Sequence, residues 1–219
     1  MTRLRWTIVV PLKATSAAKT RLAPFLGPKD REALTRAMVG DTLTAAAAAG
    51  RVDRIVVVTS DRAMVELARR ALAPIAGVDL ELVAEPEPSG LNPAVRAGID
   101  AARLASPTGG VGVLLGDLPA LRPAELDEAL AAAERSPLGV VADAAGTGTT
   151  LITALPGVAL APAFGPGSAA LHLARGHVRI PTAPTSGLSH DVDIRADLEA
   201  ARAIGVGPRT RGVLLAPGP

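Results

Sequence analysis

Residues 8–21 read Ile-Val-Val-Pro-Leu-Lys-Ala-Thr-Ser-Ala-Ala-Lys-Thr-Arg. An apolar β-branched run reads as a buried strand, here Thr7–Pro11. The loop after it carries Lys13, Lys19 and Arg21. Only three of the 23 basic residues in the chain are lysine, and two of them stand in this loop. Lysine supplies a compact point charge on a flexible stem, where arginine supplies a planar fork. A long loop bearing such charges directly after a buried strand reads as a site for a polyphosphate. Ordinary connections have about 4–6 residues, and longer ones are often functional.

The same alternation continues along the chain. Strand-like runs at 54–59, 79–84 and 111–115 alternate with helical segments at 29–49, at 61–73, from Asn92 onward, and at 122–135. Strands separated by helices pair in parallel through right-handed crossovers, which makes this an α/β chain. Ligands of such sheets bind beyond the carboxyl ends of the strands, where the loops 12–21, 85–92 and 116–119 fall. After residue 137 the texture changes. Strands at 138–142 and 149–154 flank a Gly-rich turn, followed by Phe164-Gly-Pro-Gly-Ser168, a short helix at 169–175 and a last helix at 195–204. The expectation is one domain over 1–206, in which 137–192 finishes the sheet and supplies a substrate-facing lobe, with 207–219 a loose Gly/Pro-rich tail.

Composition narrows the function classes. At 219 residues and 48% apolar content the chain builds one full core, aliphatic because only Trp6, Phe25 and Phe164 are aromatic. The net charge is +2. Its basic residues are scattered and lack aromatic stacking surfaces, so no nucleic-acid partner is expected. Cysteine is absent, which excludes disulfides, thiolate metal sites and a cysteine nucleophile. No apolar run approaches the ~20 residues of a membrane span, and the expected location is the cytoplasm. The Walker pattern and the dinucleotide G-x-G-x-x-G turn are both missing.

Four further segments carry chemistry. Asp117, at the end of the 111–115 strand, suits a hard cation such as Mg²⁺. Asp191 and Asp193 are spaced i and i+2, so in an extended segment both face the same way and join Asp117. Asp193 reads equally well as the N-cap of the last helix. Ser168 reads as an N-cap whose neighbouring free N–H groups attract an anion, with Thr147, Thr149 and Thr150 adding hydroxyls. Asn92 reads as an N-cap with Pro93 first in its helix, or as an amide offered to a base edge. His172 and His177 read as structural or surface groups.

Together, VPLK-x5-KTRL (10–22), SGLN (89–92), LLGDLPAL (114–121), GTGTT (146–150), FGPGS (164–168) and HDVDIRADL (190–198) resemble the CofC/FbiD guanylyltransferases. The motifs span about residues 7–204 in the family's order. The resemblance implies a nucleotide-diphosphosugar-transferase-like fold, a single domain with a mixed, mainly parallel sheet flanked by helices. It implies transfer of GMP from GTP, with Mg²⁺, to phosphoenolpyruvate or 2-phospho-L-lactate, in the making of coenzyme F(420). By resemblance Lys13, Lys19 and Arg21 grip the GTP phosphates. Ser89, Gly90 and Asn92 contact guanine and ribose. Asp117, Asp191 and Asp193 hold the metal, and Thr147, Thr149, Gly165 and Ser168 hold the acid. A homodimer is a candidate assembly. Rival readings are a molybdopterin or 3-phosphoglycerate guanylyltransferase of the same fold, and a non-catalytic nucleotide-binding module.

Overall fold

A computed structural model describes residues 3–13, 19–87 and 90–216. β1 (Trp6–Pro11) is buried at every position, as its unbroken apolar run requires. The chain continues through α1 (Pro28–Ala47), β2 (Val52–Val58), α2 (Arg62–Leu72), β3 (Asp79–Val83), α3 (Leu91–Ala105), β4 (Gly110–Leu114) and α4 (Pro123–Ala133). The second half adds β5 (Leu138–Ala142), β6 (Thr149–Ala154), α5 (Ser168–Ala174), β7 (Val178–Arg179), α6 (Arg195–Ile204) and α7 (Pro208–Leu215). One sheet takes all seven strands in the order β3-β2-β1-β4-β6-β5-β7.

β3, β2, β1 and β4 are parallel neighbours, and β6 runs antiparallel to both β4 and β5. The mixed sheet follows from connection length. The 143–148 turn between β5 and β6 is too short for a parallel crossover, which takes a dozen residues or more, so it closes a hairpin. β5, β6 and β7 thus belong to the main sheet, as the expectation of a finished sheet requires.

Side chains alternate between the two faces. Trp6, Ile8 and Val10 pack with Val39, Leu43, Met64, Leu126 and Leu130 under α1, α2 and α4. Val9, Val56 and Val113 pack with Val95 and Ile99 of α3 and with Phe164 on the other face. α3 lies close because Gly98 has no side chain: a Cβ there would stand 2.3 Å from Val9 Cγ1. A third cluster, with Leu22, Leu34, Met38 and Val192, ties the first loop and the 187–194 segment to α1.

The C-terminal segment corrects the expectation of a loose tail. Residues 208–215 form α7, which docks on α1. The buried carboxylate of Asp41 accepts from the N–H groups of Arg209 (3.1 Å) and Thr210 (2.8 Å), and the Arg209 guanidinium lies 3.5 Å away. A carboxylate at a helix N-terminus satisfies orphan donors and opposes the helix dipole. Gly207 makes the approach possible, because a Cβ there would meet Asp41 Cγ at 2.4 Å. Composition suggested looseness because Gly and Pro flank the segment, yet Pro208 at the first helical position is compatible with a helix start and only Gly212 interrupts the body. Replacing Asp41 with alanine should lower stability by about 1–2 kcal/mol in urea denaturation. An unchanged midpoint would mean that α7 contributes nothing.

Candidate active site

The strand order reverses direction between β1 and β4, since β2 and β3 extend to one side and β6 and β5 to the other. A crevice opens at the carboxyl ends of two such strands. Here it is a cleft of about 320 Å³ lined by Leu12 and Lys13 after β1, by Leu115, Gly116 and Asp117 after β4, and by Lys19, Thr35, Asp191 and Asp193. Gly116 leaves it room, because a Cβ there would collide with Leu12 at 2.5 Å.

The acidic side is held by the backbone. Val192 N–H donates to Asp117 O at 3.2 Å, and Leu118 N–H donates to Thr42 Oγ1 of α1 at 3.1 Å. Val192 is fully buried in the third cluster. Extended alternation then turns Asp191 and Asp193 to the other side, toward Asp117. Asp193 does not cap α6. Ile194 is the N-cap, and Asp197 accepts from the N–H groups of Asp193 and Ile194 (2.9 and 2.8 Å). Released from capping, Asp193 accepts from Lys19 Nζ at 2.8 Å, and the same ammonium donates to Asp117 Oδ2.

All three expected cations surround this cluster. The Lys19 side chain is nearly buried, which works against its charge, but attraction to Asp117 and then Asp193 outweighs burial and raises its pKa. Burial pushes the Asp193 carboxyl up, yet Lys19, Arg21 and Lys13 together bring it below the usual value. Asp191 shows the opposite balance. Burial and then repulsion from Asp117, Asp193 and Asp143 raise it to about 7. Asp117 Oδ1 is buried without a hydrogen-bond partner. Among the described residues, no three acidic or imidazole side chains close around one point, because Lys19 stands between Asp117 and Asp193.

The nucleotide-loop expectations fare differently. Ser89 lies outside the described residues. Gly90 is the N-cap of α3, with φ 151°, and its N–H donates to Glu85 (3.2 Å). Asn92 is not the cap, and Pro93 is the third helical residue. The Asn92 amide is instead committed to the 164 loop, donating to Phe164 O (2.9 Å) and accepting from Phe164 N–H (2.8 Å).

Thr147, Thr149, Gly165 and Ser168 do come together. Ala169 N–H donates to Thr147 O and Ser168 N–H to Gly165 O, both at 3.1 Å. These bonds use two of the N–H groups that the sequence reading left free for an anion. Gly167, left-handed at φ 72°, is the N-cap, and Ser168 is the buried first residue of α5. Thr147 is exposed on the turn, the Thr150 hydroxyl is buried without a partner, and Thr149 is 3.0 Å from His172 Nδ1.

Sequence reasoning missed Asp143, and of its two alternatives for His172 and His177 the structure takes the buried, structural one. Asp143 accepts from Thr147 and Gly148 N–H (2.9 and 2.8 Å), so an Asp four residues before the Thr-Gly pair was the available signal. His172 and His177 are both buried, with rings 5.1 Å apart.

The family model described as "Guanylyl transferase CofC like" matches residues 6–201. The chain belongs to the CofC guanylyltransferase family. CofC relatives named phosphoenolpyruvate guanylyltransferase include one from Sanguibacter keddieii, 50% identical over 95% of this chain and 84% of its own length. Another, from Thermomonospora curvata, is 45% identical over 94% of this chain and 87% of its own. A solved structure from Desulfovibrio desulfuricans, described as a nucleotide-diphospho-sugar transferase, superposes with a TM-score of 0.73. It covers 95% of this chain and 93% of its own at 18% identity, a likeness of fold. The CofC chain is therefore a nucleotidyltransferase on the fold its motifs implied. Among the described residues no helix is long and apolar enough to cross a membrane.

Burial and then the nearby His177 and Arg175 charges lower His172 to about 4. An unfolded histidine titrates near ~6.5, so between these values the unfolded chain takes up a proton that the fold refuses. The His172 contribution is complete above the upper value and is lost as pH falls toward the lower. Asp191, raised in the fold, acts in the opposite sense over an overlapping range. The histidine term is therefore read as the stability difference between wild type and His172→Asn. That difference should be smaller at pH 5 than at pH 7.5 by roughly 2 kcal/mol in urea titrations. A pH-independent difference would contradict the buried neutral ring.

Proposed function

We propose that this chain is a phosphoenolpyruvate guanylyltransferase. A phosphate oxygen of phosphoenolpyruvate attacks the α-phosphorus of GTP. The bond from that phosphorus to the β-phosphate oxygen breaks, and diphosphate leaves. The observation that carries the reading is the convergence of Lys13, Lys19 and Arg21 on the Asp117–Asp191–Asp193 cluster at the β1/β4 crevice. The names of the relatives supply the acid and the nucleotide.

The chemistry suits such a site. Two anions must be brought together and the charge of the leaving diphosphate offset, so catalysis rests on positioning and electrostatics. The attacking phosphate is already anionic and needs no general base. Lys13, Lys19 and Arg21 would bind the triphosphate, and Gly90 with the preceding Ser89 would border the base. Thr149, Gly165 and Ser168, with Thr147 beside them, would hold the acid.

The carboxylates also fit a divalent cation. They offer hard oxygen donors, one of them an orphaned buried oxygen in Asp117, and Asp191 carries more negative surroundings than its partners balance. Asp117, Asp191 and Asp193 would hold Mg²⁺, which supplies charge neutralisation at the phosphates. Lys19 is the internal counter-ion that bridges Asp117 and Asp193.

Incubation with GTP, Mg²⁺ and phosphoenolpyruvate should release diphosphate, and faster than with 2-phospholactate or 3-phosphoglycerate. GTP binding without release from any acid would sink the enzymatic reading. A preference for another acid would correct the substrate. Asp117→Asn should reduce turnover by at least ~100-fold while far-UV circular dichroism stays unchanged. Near-normal turnover would remove Asp117 from the machinery.

A further inference from the structure

His172 is the buried group the reaction does not use directly, and its hydrogen bonds fix its protonation pattern. Ala163 N–H donates to His172 Nε2 at 3.0 Å. A backbone N–H only donates, so Nε2 holds the lone pair. In a neutral ring the proton is then on Nδ1. Nδ1 lies 3.0 Å from Thr149 Oγ1 and also faces the Ser168 carbonyl, so the bond runs from His172 to the threonine, with the carbonyl as a second acceptor. The ring is fully buried, its carbonyl faces His177 Nδ1 at 3.0 Å, and the Phe164 ring packs edge-on at 5.3 Å.

The consequence falls on Thr149. A hydroxyl has one proton and two lone pairs, and here a lone pair is engaged. The Thr149 proton is left to be donated. Among the described residues nothing accepts it, and the side chain is 3% exposed, so bulk water is a poor acceptor. A hydroxyl whose proton is still unspent can donate it to a ligand that only accepts, namely an ionised phosphate or carboxylate. His172 also sits one helical turn beyond Ser168, so a single ring joins β6, the 163 loop and α5.

We infer that His172 is a positioning residue that locks the Thr149 hydroxyl as a hydrogen-bond donor to the oxyanion of the phosphorylated acid. The inference rests on the proposed placement of the acid at Thr149, but its first premise is independent of that placement.

Two amides separate the two bonds of the ring. An Asn nitrogen at position 172 stands near Nδ1 and can still donate to Thr149. A Gln oxygen stands near Nε2 and can still accept from Ala163, but leaves Thr149 without its donor. His172→Gln should raise KM for phosphoenolpyruvate by about 10- to 100-fold, the loss of one hydrogen bond to a charged group, with KM for GTP unchanged. His172→Asn should stay within about 3-fold of wild type, and Thr149→Val should match the Gln variant. Equal KM values for the two amide variants, or a parallel rise in KM for GTP, would overturn the role.

Long-range ¹H–¹⁵N spectra of the histidine-labelled wild type read the tautomer directly, even where a variant does not fold. The Nδ1–H form is expected, and the Nε2–H form would defeat the inference whatever the kinetics. A wild type with the Nδ1–H ring and no turnover with any acid would instead count against the proposed reaction and the acid site together.

Discussion

Burying β1 on both faces constrains everything else in this molecule. A strand with apolar residues at every position needs cover above and below. The chain supplies it by sending α1 and α2 over one face on the way out to β2 and β3, then α3 over the other on the way back to β4. That return puts β4 beside β1 with the connections leaving in opposite directions. A crevice at their carboxyl ends is the geometric result, and Lys13 and Asp117 each stand four residues beyond the last β1–β4 pair, Val9 with Val113.

The crevice then has to balance charge. Three carboxylates brought to one cleft repel, and burial makes the repulsion worse. Lys19 relieves it by bridging Asp117 and Asp193, while Asp191, which shares no such bond, keeps the unfavourable surroundings that raise its pKa. Cations and carboxylates of this kind stabilise each other across the cleft. Val192, Leu118 and the third apolar cluster fix the segments that carry these groups.

A second tier of hydrogen bonds joins the start of α3 and α5 to the loop that follows β6. Asn92 grips both backbone polar groups of Phe164, and His172 grips Ala163 and Thr149. The loop that follows β6 is therefore positioned from α3 on one side and from α5 on the other. Asn92, which sequence reading offered to a base edge, belongs to this internal frame, and the hydroxyls of the threonine turn inherit their direction from it.

Much of this was legible in the chain. The β-branched runs and their spacing specified the strands and helices, because apolar periodicity is a local property of the residues themselves. The rare lysines of the 12–21 loop, Asp117 after its strand and the Asp-Val-Asp spacing marked the charged site, because each lies beside a recognisable strand or helix end. Tertiary structure decided what those residues touch. It gave Asp193 to Lys19 and the capping role to Asp197, turned Asn92 inward to Phe164, docked the Gly/Pro-rich tail on Asp41 and buried His172 against Thr149. Each of these outcomes is a choice among partners far apart in the chain. The amino-acid sequence fixes what a side chain can donate or accept, but only the packing of distant segments decides which partner is within 3 Å.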